Sequence, residues 1–127
     1  VSIIRVDPAE TTAPRKAVEV LRSGGLLAFP TAAGYMVGCS ALHQDAIRRL
    51  CAATGASPET LQRLDDSRDP IPLVLMRDAD LPIAATPPRP GAPPARTAQH
   101  VIFALGDKID LTLDAGPVHR LTPMGAR

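Results

Sequence analysis

The stretch that decides the fold is GLLAFPTAAGYMVGC, Gly25 to Cys39. Leu26 to Pro30 is an unbroken apolar run, which predicts a strand covered on both faces. The run stops at Pro30-Thr31 and is followed by Ala32, Ala33 and Gly34, then by Tyr35, the chain's single tyrosine. Met36 to Ala41 can extend again, so the segment reads as strand, small-residue turn, strand. In α/β proteins a strand that ends in a small-residue loop is where ligands sit. The alanines and glycine would let a small polar molecule approach the backbone, and Thr31 offers a hydroxyl. A plain reverse turn accounts for the same residues, and composition leaves both readings open.

Working outward, Ser2 to Val6 predicts a short strand, broken by Asp7-Pro8. Thr12 is placed to cap a helix over Ala13 to Ser23, with Pro14 in its first turn and Gly24-Gly25 as its stop. Gln44 to Ala53 predicts a helix with Ala46, Ile47, Leu50 and Cys51 inward. Ser57-Pro58-Glu59 starts a short helix ending near Leu64. Pro72 to Met76 reads as an apolar strand. Residues 82–94 hold six prolines, which predicts an extended, polyproline-like connector. Arg96 to Leu105 predicts a helix closed by Gly106, and Ile109 to Asp114 alternates like a half-buried strand ended by Gly116-Pro117. Strands alternating with helices put the chain in the α/β (α+β) class, and 127 residues suit a single domain, 1–127.

The bulk numbers exclude more than they assign. Net charge is +1, and the basic residues are twelve Arg with Lys16 and Lys108, without the cluster expected of a dedicated nucleic-acid face. With Phe29, Phe103 and Tyr35 as the only aromatics, the core must be aliphatic and its stability modest. Cys39 and Cys51 show no metal spacing. Isolated cysteines without a signal-like start fit a reducing cytoplasm, and no apolar run reaches membrane-spanning length. The chain opens on Val1, so its true start is expected upstream.

Phosphate-binding motifs of the GxxxxGK[ST] or GxGxxG kind are missing. Arg68 is the best single phosphate candidate, because guanidinium presents a fork to phosphate oxygens. Pairing with Asp65, Asp66 or Asp69 explains it as well. Those three aspartates have the chemistry for Mg²⁺ beside phosphate oxygens, and a solvated acidic loop is the plainer reading. His43, His100 and His119 lack matched partners by spacing and receive no catalytic role. Cys39 reads as a small buried hydrophobe.

Taken together, AVEVLRSGGLLAFPT and the following GYMVGC resemble the YrdC/YciO family of threonylcarbamoyl-AMP synthases, whose usual string is close to GGxxAFPTETVYGLG. PTAAGYMVGC is nearer the YciO branch, which carries PTDSGYALGC. PLVLMRD is similar to the family's PLTLMCRD, and PPARTAQHVIFALGDKIDLTLDAGP to the segment after its Ser-Ala-Asn motif. The resemblance covers most of residues 1–80 and 91–117. It implies a twisted mixed sheet flanked by helices, here shortened.

The same resemblance implies a chemistry: ATP, L-threonine and bicarbonate give threonylcarbamoyl-AMP and pyrophosphate, with Mg²⁺ accompanying ATP, for threonylcarbamoyladenosine modification of tRNA. It implies L-threonine and ATP as ligands, and tRNA or double-stranded RNA as partners. Thr31 falls on the family's substrate-holding Thr, and Pro30, Tyr35 and Gly38 on the residues that shape that loop. The family's Lys-x-Arg falls near Asp65 and Ser67, leaving Arg68 as the nearby cation for nucleotide. Its Ser-Ala-Asn falls on Pro87, Pro88 and Arg89. A long central block is replaced by Asp78 to Leu81, which predicts an exposed sheet edge and, through it, a homodimer. Three readings follow: a shortened synthase, a non-catalytic small-ligand or RNA-binding module, and a decayed fragment.

Overall fold

In the computed structural model, which describes residues 2–7, 12–64 and 69–118, six strands form one mixed sheet. They are β1 (Ile3–Arg5), β2 (Leu27–Thr31), β3 (Gly34–Ser40), β4 (Gln62–Leu64), β5 (Ile83–Thr86) and β6 (Leu111–Asp114). Their order across the sheet is β1-β6-β2-β3-β5-β4. β6 runs parallel to both β1 and β2, while the β2–β3 hairpin, β5 and β4 pair antiparallel. Four helices flank the sheet: α1 (Arg15–Arg22), α2 (Gln44–Thr54), α3 (Pro70–Ala79) and α4 (Ala98–Leu105).

The hairpin pairs Leu27 with Gly38 and Phe29 with Met36, so alternate residues of β2 serve opposite faces. One face joins Leu27, Phe29, Met36, Ile83, Leu111 and Leu113 to Leu21 of α1 and Leu75 of α3. The other joins Leu26, Ala28, Val37 and Cys39 to Leu50 of α2 and Val101 of α4. The chain therefore builds a three-layer α/β/α domain on an aliphatic core. Double coverage explains why β6 is buried at all four positions, where alternation alone predicts a half-buried strand. Cys39 sits in this core, and burial pushes its thiol up to about 12, in keeping with its reading as a small hydrophobe.

Pro30 is tolerated inside β2 because of the register. Thr31 and Gly34 close the hairpin, so the N–H at position 30 would face β6. That ladder already ends at Ala28, and no bond is lost.

Four elements differ from the sequence reading. Residues 72–76 are not a strand but lie inside α3. Asp69 takes the N-cap position and Pro70 begins the helix. Ile71, Val74, Leu75 and Ala79 are buried while Leu73 is exposed, a helical spacing hidden in a short run that periodicity cannot separate from a strand. The 82–94 connector is shortened from its front: β5 occupies Ile83–Thr86, between Pro82 and Pro87, buried and paired on both sides. The helix expected from Ser57 to Leu64 is a single 3₁₀ turn, Pro58–Thr60, followed by β4. Thr12 does not cap α1, whose N-cap is Pro14. The later helix is capped as its chemistry prefers, with Thr97 Oγ1 accepting from His100 N at 3.1 Å.

Two carboxylates tie loops to this frame. Asp110 Oδ2 accepts from Leu26 N (2.8 Å) and from Arg49 (3.1 Å), fixing the start of β2 against α2. Asp78 accepts from Ala13 N (2.7 Å) and from Arg77 Nε (2.9 Å), joining the approach to α1 to the end of α3. The Arg77 hydrogen bond, and then the Ala13 N–H, hold the Asp78 carboxyl below its ordinary value. A folded-state pKa depressed in this way contributes stability above the unfolded value, and that contribution is lost as pH falls through the folded one. The acid side of the melting-temperature profile is therefore expected to be shallower in Asp78→Asn than in the wild type. Identical profiles would show that this tie carries nothing.

Candidate functional site

β2 and β6 are parallel neighbours, so their C-terminal ends open on the same edge of the sheet, where open α/β folds place ligands. A cleft of about 180 Å³ lies there. Its walls are the Pro30–Ala32 turn, the start of α3 at Asp69–Ile71, and residues 115–118 after β6.

Thr31 is 5% exposed and closes the turn on itself. Its Oγ1 donates to the Gly34 carbonyl at 2.8 Å and accepts from Ala33 N at 3.0 Å. The hydroxyl proton is thus committed within the loop, and Thr31 shapes the cleft rather than offering it a donor. Gly34, at φ +105°, supplies the left-handed backbone that turns the chain into β3.

Tyr35 points to the opposite sheet face, among the residues packed on α4. From there its hydroxyl reaches the strand end behind the cleft. It donates to the Gly116 carbonyl at 2.7 Å, accepts from Ala115 N at 3.0 Å, and lies 3.4 Å from Asp114 Oδ1. Asp114 Oδ1 also accepts from Gly116 N at 2.9 Å. Burial raises the Tyr35 phenol above its ordinary value; the Ala115 N–H opposes this and the Asp114 charge adds to it.

The structure thus divides the four loop residues singled out in the sequence. Pro30 and Thr31 line the cleft, and Tyr35 braces its wall from behind. Gly38 is away from it, in mid-strand, where a Cβ would lie 2.8 Å from Ile83 Cγ2 and 3.0 Å from Phe29 Cε2. Its requirement is close packing. Arg68, Asp65, Asp66, Ser67 and His119 lie outside the described residues. Pro87, Pro88 and Arg89 follow β5 and are not among the cleft's lining. Among the described residues, no group of three or more His, Cys, Asp or Glu is placed to hold a metal ion. No described helix is long and apolar enough to cross a membrane.

Sequence reasoning passed over Asp114 and read Asp69 only with Asp65 and Asp66, as a solvated acidic loop or Mg²⁺ carboxylates. Asp114 ended an alternating strand and gave no sign of turning back to bond Gly116 N. Asp69 was one of several aspartates in a charged loop, and only the helical conformation of residues 70–79 brings it to the cleft.

The Sua5/YciO/YrdC family model, described as "Telomere recombination", matches residues 19–60, the segment holding the Thr31 turn and both strands of its hairpin. The resemblance to that family rests on this segment. No curated protein matches it. Among solved structures, the chain is similar to P. abyssi Sua5 complexed with L-threonine, at 22% identity and a TM-score of 0.75, over 92% of this chain and 51% of that one. E. coli YciO aligns at 16% identity and a TM-score of 0.68, over 93% and 86%. Full-length HypF in a phosphate- and nucleotide-bound form aligns at 16% and 0.67, over 84% and 25%. At these identities the likeness establishes the shared fold. The chain spans about half the length of the P. abyssi Sua5 it matches.

Proposed function

We propose that this domain binds a small amino acid of the L-threonine kind in the cleft at the ends of β2 and β6, and that it acts as a binding module of the threonylcarbamoyl-AMP synthase type. The observation that carries this is the cleft itself. The inherited Pro-Thr turn forms one of its walls, and its volume is about 180 Å³. Pockets that enclose drug-sized ligands run to about 300–1,000 Å³, so the space suits an amino acid better than a nucleotide. The likeness to a Sua5 complexed with L-threonine supports the ligand class.

Adenylate transfer asks for preorganised cations around the phosphates, and the cleft's lining holds no Arg or Lys among the described residues. Any magnesium would enter on the phosphates of ATP. Full synthase activity is accordingly the second arm of the test. Titration calorimetry and thermal shift with L-threonine and with ATP separate the ligands, and pyrophosphate release in ATP, L-threonine and bicarbonate reads the reaction. The expected result is a rise in melting temperature with L-threonine and no pyrophosphate. Release of pyrophosphate would restore the synthase reading, and absence of any threonine response would remove the binding one.

The turn supplies its own check. Thr31→Ala removes both loop hydrogen bonds and leaves a buried carbonyl short of its partner, at a cost of about 1–3 kcal/mol. L-threonine binding is expected to be lost in Thr31→Ala and kept in Thr31→Ser, which retains the hydroxyl. Equal binding by both would place the ligand elsewhere.

A further inference from the structure

Tyr35 belongs to two walls of the cleft and lines neither. Its backbone stands opposite Pro30 across the hairpin, beside the Thr31–Gly34 pair that closes the turn. Its main chain is therefore part of the first wall's frame. Its hydroxyl is fixed to the second wall, donating to the Gly116 carbonyl at 2.7 Å and accepting from Ala115 N at 3.0 Å. A third segment closes the circuit. Tyr35 N donates to the Ala95 carbonyl at 2.7 Å, and the next carbonyl, that of Arg96, accepts from Val118 N at 2.7 Å. The wall at 115–118 is thus held at its start by the Tyr35 side chain and at its end by the neighbour of Tyr35's backbone partner. The bond from Gly116 N to Asp114 Oδ1, at 2.9 Å, lies within the wall's own segment. It folds residues 114–116 without setting their distance from the hairpin turn.

We infer that Tyr35 is a positioning residue that sets the width of the cleft. It holds residues 115–118 at a fixed distance from the Pro30–Ala32 turn, so the space between them is formed before a ligand arrives. This rests on the reading of the cleft as an amino-acid site and adds what gives that site its shape. The spacer is stiff: Tyr35 is 1% exposed, in the cluster that holds Ala95, Ala98 and Val101, and a tyrosine has only two side-chain torsions to fix. Burial raises its phenol, so the hydroxyl keeps the proton it donates. A wall fixed in advance spares the ligand the cost of ordering a loop. Without the hydroxyl, the Gly116 carbonyl and the Ala115 N–H lose this partner, and turning to water to replace it takes the wall away from the turn.

The test is calorimetry with L-threonine on the wild type, Tyr35→Phe and Gly55→Ala. Tyr35→Phe keeps the ring and removes both hydroxyl bonds, and is expected to bind about three- to tenfold more weakly, the worth of one hydrogen bond. Gly55→Ala strains a positive φ at the end of α2 and lines no part of the cleft. It is expected to lower stability and leave the affinity unchanged, which a purely structural role for Tyr35 would also do. Amide hydrogen exchange gives an independent reading. Ala115 is expected to exchange slowly in the wild type, fast in free Tyr35→Phe, and slowly again in Tyr35→Phe saturated with L-threonine, where the ligand itself must order the wall. Should Tyr35→Phe not fold, the wild type decides: slow exchange at Ala115 supports the inference, and exchange at the rate of an open loop overturns it. Wild-type affinity in a folded Tyr35→Phe overturns it, as does an equal loss of affinity in Gly55→Ala. A wild type that does not bind L-threonine overturns the reading of the cleft instead, and this inference with it.

Discussion

Replacing Phe29 with alanine is expected to lower the unfolding free energy by about 3–5 kcal/mol. Phe29 is fully buried at the centre of β2, within the cluster that joins the sheet to α1 and α3. The core has no comparable apolar ring, since Phe103 is 87% exposed and Tyr35 serves the other face. The neighbours that would have to close the hole are small or pinned. Gly38 has no side chain, and Ile83 is held in β5 between two strands. A cavity that cannot collapse carries the full penalty. In a domain whose total stability is about 5–15 kcal/mol, that loss is a fifth or more. A urea titration should show a lower midpoint with an unchanged slope. A loss below about 1.5 kcal/mol would mean that the core relaxes far more than its strand pairing suggests.

The second large effect is expected at Gly34, where Ala introduces two separate costs. Its φ of +105° lies in the region L residues rarely adopt, and the new Cβ would stand 2.8 Å from the Ala95 carbonyl oxygen and 3.1 Å from Pro94 Cβ. That carbonyl accepts the Tyr35 N–H at 2.7 Å, so it cannot withdraw without breaking the bridge to β3. Backbone strain and overpacking together are expected to cost about 2–4 kcal/mol. Gly55 separates the two. Its φ is +81° and nothing lies within 4 Å of the place an alanine methyl would take, so Gly55→Ala should show the conformational cost alone, about 1–2 kcal/mol. Equal losses at both positions would show that the Ala95 contact costs nothing.

The sequence made the hairpin legible because Leu26 to Cys39 combines an apolar run, a small-residue turn and a second extended piece, and each signal points the same way. The class followed from strands alternating with helices, the mixed sheet with flanking helices was what the family resemblance implied, and α2 was placed within a residue of its observed end. The failures share a physical cause. Ile71 to Met76 is apolar throughout, and what decides helix over strand is Asp69 and Pro70 at its start, a capping signal weaker than the run it precedes. β5 was hidden by its own brackets, since Pro82 and Pro87 mark the boundaries of a buried four-residue strand and not a segment without one. Asp114 was invisible as a wall-holding residue because its partners, Tyr35 and Gly116, come together only when the hairpin lies beside β6.

The position of β6 also bears on how the domain comes into being. It lies between β1 and β2, although both of those strands are made long before it. As the chain leaves the ribosome, β2 and β3 can zip together early, because their contacts are local. β1, by contrast, has no neighbour, and the apolar flank of β2 stays uncovered until residues 111–114 emerge and slide into the gap. Parallel pairing over such separations is slow and leaves strand edges open to other chains in the meantime. A nascent chain stalled before residue 111 would present that open flank to any chaperone or neighbour at hand.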